Sequence, residues 1–211
     1  MKIEWVTVGP FQENSYLLAN DAGGHGVLVD PGDEPDRILR MVRAADVTID
    51  AVWLTHGHLD HIGAVAALKR EWNVPVLMHP DDLVLYRRAA QQAAFYGLPF
   101  EQPEDPDGTL ADGEQLVLGD DRFTVRHTPG HSPGHVILVG AELIVGGDLL
   151  FAGSIGRTDL PFSSPEAMDT SLGLVAAMPP ELAVYPGHGP PTTVGAELAT
   201  NPYLAGVHHV R

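Results

Sequence analysis

Residues 55–63 read Thr-His-Gly-His-Leu-Asp-His-Ile-Gly, which places His56, His58, Asp60 and His61 within six consecutive positions. Neutral imidazole nitrogens and carboxylate oxygens are the ligands that Zn²⁺, Fe²⁺ and Mn²⁺ accept. So dense a set is costly to carry without a cation, because polar rings left unpaired do not pack in a core. The stretch reads as a metal site rather than a chance cluster on a solvated loop. Before it, Ala51–Leu54 is a short apolar run of strand type, and after it Ile62–Trp72 repeats apolar residues at helical spacing. The ligands therefore fall on a strand-to-helix loop, where an apolar scaffold holds the backbone and the side chains are free to point. His56 and His58, two apart on extended chain, project the same way. Asp60 and His61 come as the chain turns into the helix and point elsewhere, so that one loop can feed two neighbouring cations.

Further ligand types follow, each in a turn and mostly after an apolar strand. His131 lies in Thr128-Pro-Gly-His-Ser-Pro-Gly-His135, Asp148 closes Leu143-Ile-Val-Gly-Gly-Asp148, and His188 lies in Val184-Tyr-Pro-Gly-His-Gly189. That repeated placement says more than any single histidine. His135 reads as a support for its neighbours or as part of a strand start, and His208 and His209 are given no metal role.

His-x-His-x-Asp-His, then a later His, then Gly-Asp, then Gly-His resembles the metallo-β-lactamase superfamily. The likeness runs from Asn14-Ser-Tyr-Leu-Leu18 and Leu28-Val-Asp-Pro-Gly32 to Pro186-Gly-His-Gly189. Within the superfamily the chain is most similar to the small glyoxalase II-like hydroxyacylglutathione hydrolases. The resemblance implies an α+β fold, an αββα sandwich with two mixed sheets between helical layers. It also implies two divalent metal ions (Zn, Fe or Mn). His56, His58 and His131 would hold one, Asp60, His61 and His188 the other, and Asp148 would bridge them. Two such ions share and acidify a water, and the resulting hydroxide attacks a carbonyl; Asp60 would orient that hydroxide as well as bind metal.

The implied substrate is a small anionic thioester, hydroxyacylglutathione cleaved to hydroxy acid and thiol. Arg157, ten residues after Gly147 in a Gly-Ser-Ile-Gly-Arg loop, resembles the basic residue that glyoxalase II-like enzymes set against glutathione; an ion pair with Asp159 is its other reading. Two features of the larger glyoxalase II enzymes are missing. Pro190 stands where a tyrosine is common, and only a short tail follows His188 where those enzymes append a helical domain. The run Gly156-Arg-Thr-Asp159 is also similar to that of mononuclear Fe(II) persulfide dioxygenases, although Ser154 or Ile155 stands where they carry a cysteine. Other ester hydrolases of the superfamily complete the alternatives.

Composition narrows the partners. The 211 residues carry 12 Lys and Arg against 28 Asp and Glu, a net charge of −16 with neutral histidines. Binding to phosphate backbones needs clustered cations, so nucleic acid is not expected as a partner. No apolar run is long enough to span a bilayer and the first residues form no leader pattern, so no membrane is expected either and a cytoplasmic location is the simplest expectation. There is no cysteine, which removes disulfides and the superfamily members that use a Cys ligand. The length suits one domain over residues 1–211, with no indication of oligomeric state.

Strands are expected at Lys2–Val8, Ser15–Ala19, Gly26–Asp30, Val74–Met78, Gln115–Leu118, Arg122–His127, Val136–Val139, Leu143–Gly146 and Ala183–Tyr185. Turns fall at Gly9-Pro10, Asn20–Gly24 and Gly119-Asp-Asp121. Helices are expected at Asp36–Ala45, from Pro80 onward, and at Pro165–Met178. The segment 91–112 shows no sustained periodicity and is read as a lid or pocket wall.

Overall fold

The computed structural model describes residues 1–20 and 24–204, so most of the Asn20–Gly24 turn, and both His208 and His209, lie outside the described residues. The chain opens with a meander, β1 (Lys2–Val8), β2 (Glu13–Ala19) and β3 (His25–Val29). Helix α1 (Pro35–Ala45) follows, with proline in its first turn, Ile38 and Val42 on its buried face, and a left-handed Asp46 closing it. Next come β4 (Thr48–Trp53), the short α2 (Leu59–Ile62), α3 (Val65–Trp72) and β5 (Val76–Met78). A 3₁₀ turn at Pro80–Asp82 leads into α4 (Leu83–Tyr86), α5 (Ala89–Phe95) and β6 (Gly108–Thr109). These strands form a six-stranded sheet in the order β1-β2-β3-β4-β5-β6.

The second half supplies β7 (Gln115–Leu118), β8 (Asp121–His127), β9 (Val136–Val139), β10 (Leu143–Gly147) and the small ribbon β11 (Leu150–Phe151) with β12 (Ser154–Ile155). It ends in α6 (Pro165–Ala176), β13 (Ala183–Pro186), β14 (Thr192–Thr193) and α7 (Val194–Thr200). The second sheet runs β14-β13-β10-β9-β8-β7. Both sheets are mixed: β3 and β4 pair parallel, as do β10 and β13, among antiparallel neighbours.

Strand alternation sorts the core into layers. Tyr16, Leu18, Val27, Val29 and Trp53 face Phe123, Val125, Val136, Leu138 and Val145, forming the dry layer between the sheets. Their alternates Leu17, Leu28 and Val52 pack on Ile38, Val42 and Leu68 of α1 and α3. On the other side Ile137, Ile144 and Val184 pack on Leu172, Val175 and Val194 of α6 and α7. The architecture is therefore the expected αββα sandwich of two mixed sheets between helical layers.

Several elements differ from those expected, among them the short strands β6, β11, β12 and β14, which carry too few residues to show a period. The helix expected over Ile62–Trp72 is interrupted at Gly63–Ala64. There Gly63 approaches the Gly32 carbonyl so closely that a Cβ would lie 2.3 Å from it, and Ala64 N–H donates to Pro31 O at 3.0 Å. The segment from 91 begins inside a helix, because Ala-Ala-Gln-Gln-Ala-Ala is rich in helix formers yet carries no apolar stripe to give a period. Helix α7, capped by Thr193 Oγ1 on Ala196 N–H at 3.1 Å, was not anticipated. Among the described residues no helix is long and apolar enough to cross a membrane.

Candidate metal centre

The chain segments that follow β3, β4, β8, β10 and β13 bring Asp30, the His56–His61 loop, His131, Asp148 and His188 to one end of the sandwich. Side chains there form groups of ligand atoms that each span no more than 4.8 Å: His56, His58 and His131; Asp60, His61 and His188; and, overlapping both, Asp30, His56 and His61. Asp148 lies between the first two. Its Oδ1 is 3.4 Å from His61 Nε2, and its Oδ2 is 3.4 Å from His131 Nε2 and 3.5 Å from His188 Nε2. Asp60 Oδ2 lies 3.4 Å from His188 Nε2. Four ligands placed tetrahedrally about 2.1 Å from a cation sit ~3.4 Å from one another, so these spacings suit a shared ion better than direct hydrogen bonds. His58 Nδ1 and His131 Nε2 face each other at 2.8 Å.

Hydrogen bonds fix which nitrogen each ring offers, and the tautomers follow from that network. Asp30, buried and at φ 49°, accepts from Thr55 N–H at 2.7 Å, Thr55 Oγ1 at 2.6 Å and His61 Nδ1 at 3.0 Å. Thr55 Oγ1 has thus given its only proton away and accepts from His56 Nδ1 at 3.1 Å. His131 Nδ1 donates to Arg157 O at 2.9 Å. The Nε2 atoms of His56 and His61 are left bare, and that of His131 meets His58 Nδ1. His56 Nε2, His61 Nε2 and Asp148 Oδ1 are buried with no hydrogen-bond partner. Burying unpaired acceptors side by side is costly; a pair of divalent cations removes that cost, and the residues fit them.

Two supports, Asp30 and Asp82, were not foreseen in the sequence. Asp82, fully buried, accepts from Gly57 N–H and Ser132 Oγ, each at 2.7 Å, and from Gly134 N–H. It ties the His56–His61 loop to the His131 turn. His135, expected to support its neighbours, accepts from Asp148 N–H at 3.0 Å through Nε2 and donates from Nδ1 to Thr128 Oγ1 at 2.9 Å. Asp30 ends an apolar strand as Asp148 does, the one sequence signal that could have found it. Asp82 carries no such mark.

Electrostatics divides the two groups. Burial and the neighbouring imidazoles hold His56 well below its usual range and take His58 down to about 3, so both are neutral with free lone pairs. Burial also opposes charge on His188, but the Asp148 and Asp60 carboxylates outweigh it and raise it to about 10. His61 is raised in the same sense by Asp148 and Asp30 against its burial. The carboxylates around His61 and His188 thus favour positive charge on that side of the centre, which a cation would supply.

A cavity of about 210 Å³ opens over the centre, walled by His58, Asp60, Asp148 and His188 and reaching Tyr96 and Arg157. Arg157 is exposed at its rim and forms a two-pronged ion pair with Asp159 at 2.8 and 2.9 Å. Gln92 and Tyr96, near the start of the 91–112 segment, line the same cavity. Elsewhere His79, Asp81 and His127 also gather. The two rings are stacked at 4.1 Å and 8°, so their lone pairs lie in parallel planes and do not converge on one ion. His127 Nε2 instead donates to Pro133 O at 2.8 Å, bracing the His131 turn.

The family model of the metallo-β-lactamase superfamily matches residues 8–188, the span that carries all seven candidate ligands. The chain belongs to the metallo-β-lactamase superfamily. Among its superfamily relatives it is 35% identical over 209 residues to "Hydroxyacylglutathione hydrolase GloC" of Haemophilus influenzae, covering 97% of this chain and 98% of that one. The crystal structure of TTHA1623 in a di-iron-bound form shares 45% identity and a TM-score of 0.89 over 95% of this chain and 100% of that one. The crystal structure of BLEG-1 B3 metallo-beta-lactamase shares 34% identity and a TM-score of 0.91 over 97% and 100%. With two divalent metals as its cofactors, the chain is a metallo-hydrolase of this superfamily.

Proposed function

We propose that the protein hydrolyses a small anionic thioester of the hydroxyacylglutathione type, with His56, His58 and His131 holding one metal, Asp60, His61 and His188 the other, and Asp148 shared. The observation that carries this is the cavity wall. It presents five of the seven carboxylate and imidazole ligands, with His56 and His61 buried behind them, and no Ser, Thr or Cys nucleophile, so the attacking group is water. The full-length likeness to GloC supports a thioester over other acyl compounds. Two divalent ions, when bound, supply hydroxide near neutral pH and polarise the carbonyl. Asp60 faces the cavity and accepts a hydrogen bond from the attacking water, orienting it. A C–O bond forms, the C–S bond breaks, and the thiolate leaves toward Arg157, the cation at the rim.

A second reading, a mononuclear Fe(II) persulfide dioxygenase, rests on the run Gly156-Arg-Thr-Asp159. One experiment separates them: purified protein assayed with S-lactoylglutathione and with glutathione persulfide, with metal content and oxygen uptake recorded on the same sample. Thioester cleavage with about two metals per chain and no oxygen uptake is expected. Persulfide-dependent oxygen consumption with one iron would overturn the hydrolase, and activity on neither would move the search to other esters.

A further inference from the structure

A second cavity, of about 310 Å³, lies against the metal cavity and shares Phe11, Leu59 and Asp60 with it. The two differ in their charged groups and in the side chains that fill their remaining walls. Arg157, Gln92 and His188 give the metal cavity polar groups, whereas Val8, Pro10, Leu98, Pro99 and Phe100 line the second. The charged side chains of the second chamber, Asp33 and Asp60, are both acids, so it repels an anion, and only its Val, Pro, Leu and Phe walls suit a hydrocarbon. Phe11 stands in the shared wall, its ring edge-on to Tyr96 at 5.4 Å and 78°. It sits on a turn closed by Gln12 N–H to Gly9 O at 3.2 Å.

We propose that this chamber is the acyl subsite, so that the enzyme favours thioesters whose acyl group is an apolar chain over the short 2-hydroxyacyl group of lactoylglutathione. This rests on the thioester-hydrolase reading. The scissile carbonyl has to sit by Asp60, where the two cavities meet. Its two substituents then diverge. The anionic thiol portion lies toward Arg157, and the acyl portion passes Leu59 and Phe11 into the apolar chamber. A lactoyl hydroxyl placed there finds Val, Pro, Leu and Phe side chains where it had water, a loss of hydrogen bonding that a methylene does not suffer.

The test uses metal-loaded protein and glutathione thioesters of acetate, lactate, butanoate and hexanoate. The ratio kcat/KM is expected to climb by up to about fourfold per added methylene and to place lactoyl below butanoyl. A flat or falling series with lactoyl preferred would overturn the subsite while leaving the hydrolase reading intact. Leu98→Trp, which fills the chamber, is expected to flatten the chain-length slope; a folded, metal-replete variant that keeps the wild-type slope would overturn it. Calorimetric binding of hexanoate against acetate provides a readout without turnover. Tighter hexanoate supports the chamber even if every glutathione thioester is inert, an outcome that would sink the thioester reading alone; equal binding sinks the chamber.

Discussion

The Asp148 side chain reaches both ligand groups: one oxygen faces His61, the other His131 and His188. Asp148→Ala is therefore expected to deplete both metals together, from about two per chain to well under one, as read by elemental analysis. Loss of a single metal would show that it is not shared. Arg157 touches no ligand through its side chain, so Arg157→Ala is expected to raise KM for an anionic thioester several-fold with little change in kcat, the pattern of lost uniform binding. An unchanged KM would leave it only its ion pair with Asp159. His188 gives the pH dependence. Its metal-free value is raised from 6.5 to about 10, so the proton contributes stability that is complete below the unfolded value and is lost as pH rises toward 10. A cation must displace that proton. Metal affinity, measured by chelator competition, is expected to rise with pH between 7 and 10 by up to about tenfold per unit, and a flat profile would contradict imidazole ligation by His188.

At the scale of elements, the 3₁₀ turn after β5 matters through Asp82, which ties the two ligand-bearing turns together. Asp82→Ala strands two buried N–H donors and a hydroxyl, a loss of about 3 kcal/mol or more, measurable in urea unfolding together with weaker metal binding. Stability unchanged within error would show that the loops hold themselves. The limits of sequence reading lie at the same scale. His56, His58, Asp60 and His61 were legible because their density has no cheap structural explanation, and His131, Asp148 and His188 because each follows the same strand-then-glycine context. The strands were legible where one face is buried, as in β8, whose residues alternate between core and surface. Asp82 was not, because an acid in a Pro-Asp-Asp turn reads as a helix start and its partners Gly57 and Gly134 lie 25 and 52 residues away. Helix α5 was hidden by its alanines, and the break before α3 by a contact between two glycines distant in sequence.

At the scale of the molecule, the first sheet's half supplies His56, His58, Asp60 and His61, and the second supplies His131, Asp148 and His188. Each candidate metal draws on both halves, so the ions tie the sandwich across its middle. Exhaustive chelation is then expected to lower the melting temperature by roughly 5–10 °C, since a ligand at a hundredfold excess over its dissociation constant contributes ~2.7 kcal/mol. An unchanged melting point would place the halves' cohesion entirely in the apolar layer between the sheets.

The walls of the two cavities have a different origin from their floor. The turn at 9–12, the stretch from Gln92 to Phe100 and the loop around Arg157 and Leu160 shape the space that a substrate fills, and not one of them contributes a side chain to either ligand group. Reactivity and selectivity are thus written in separate parts of the chain. A library randomised across those three segments can wander through substrate space while the hydrolytic engine beneath it stays assembled, and this scaffold is on that account a good starting point for laboratory evolution toward new acyl compounds.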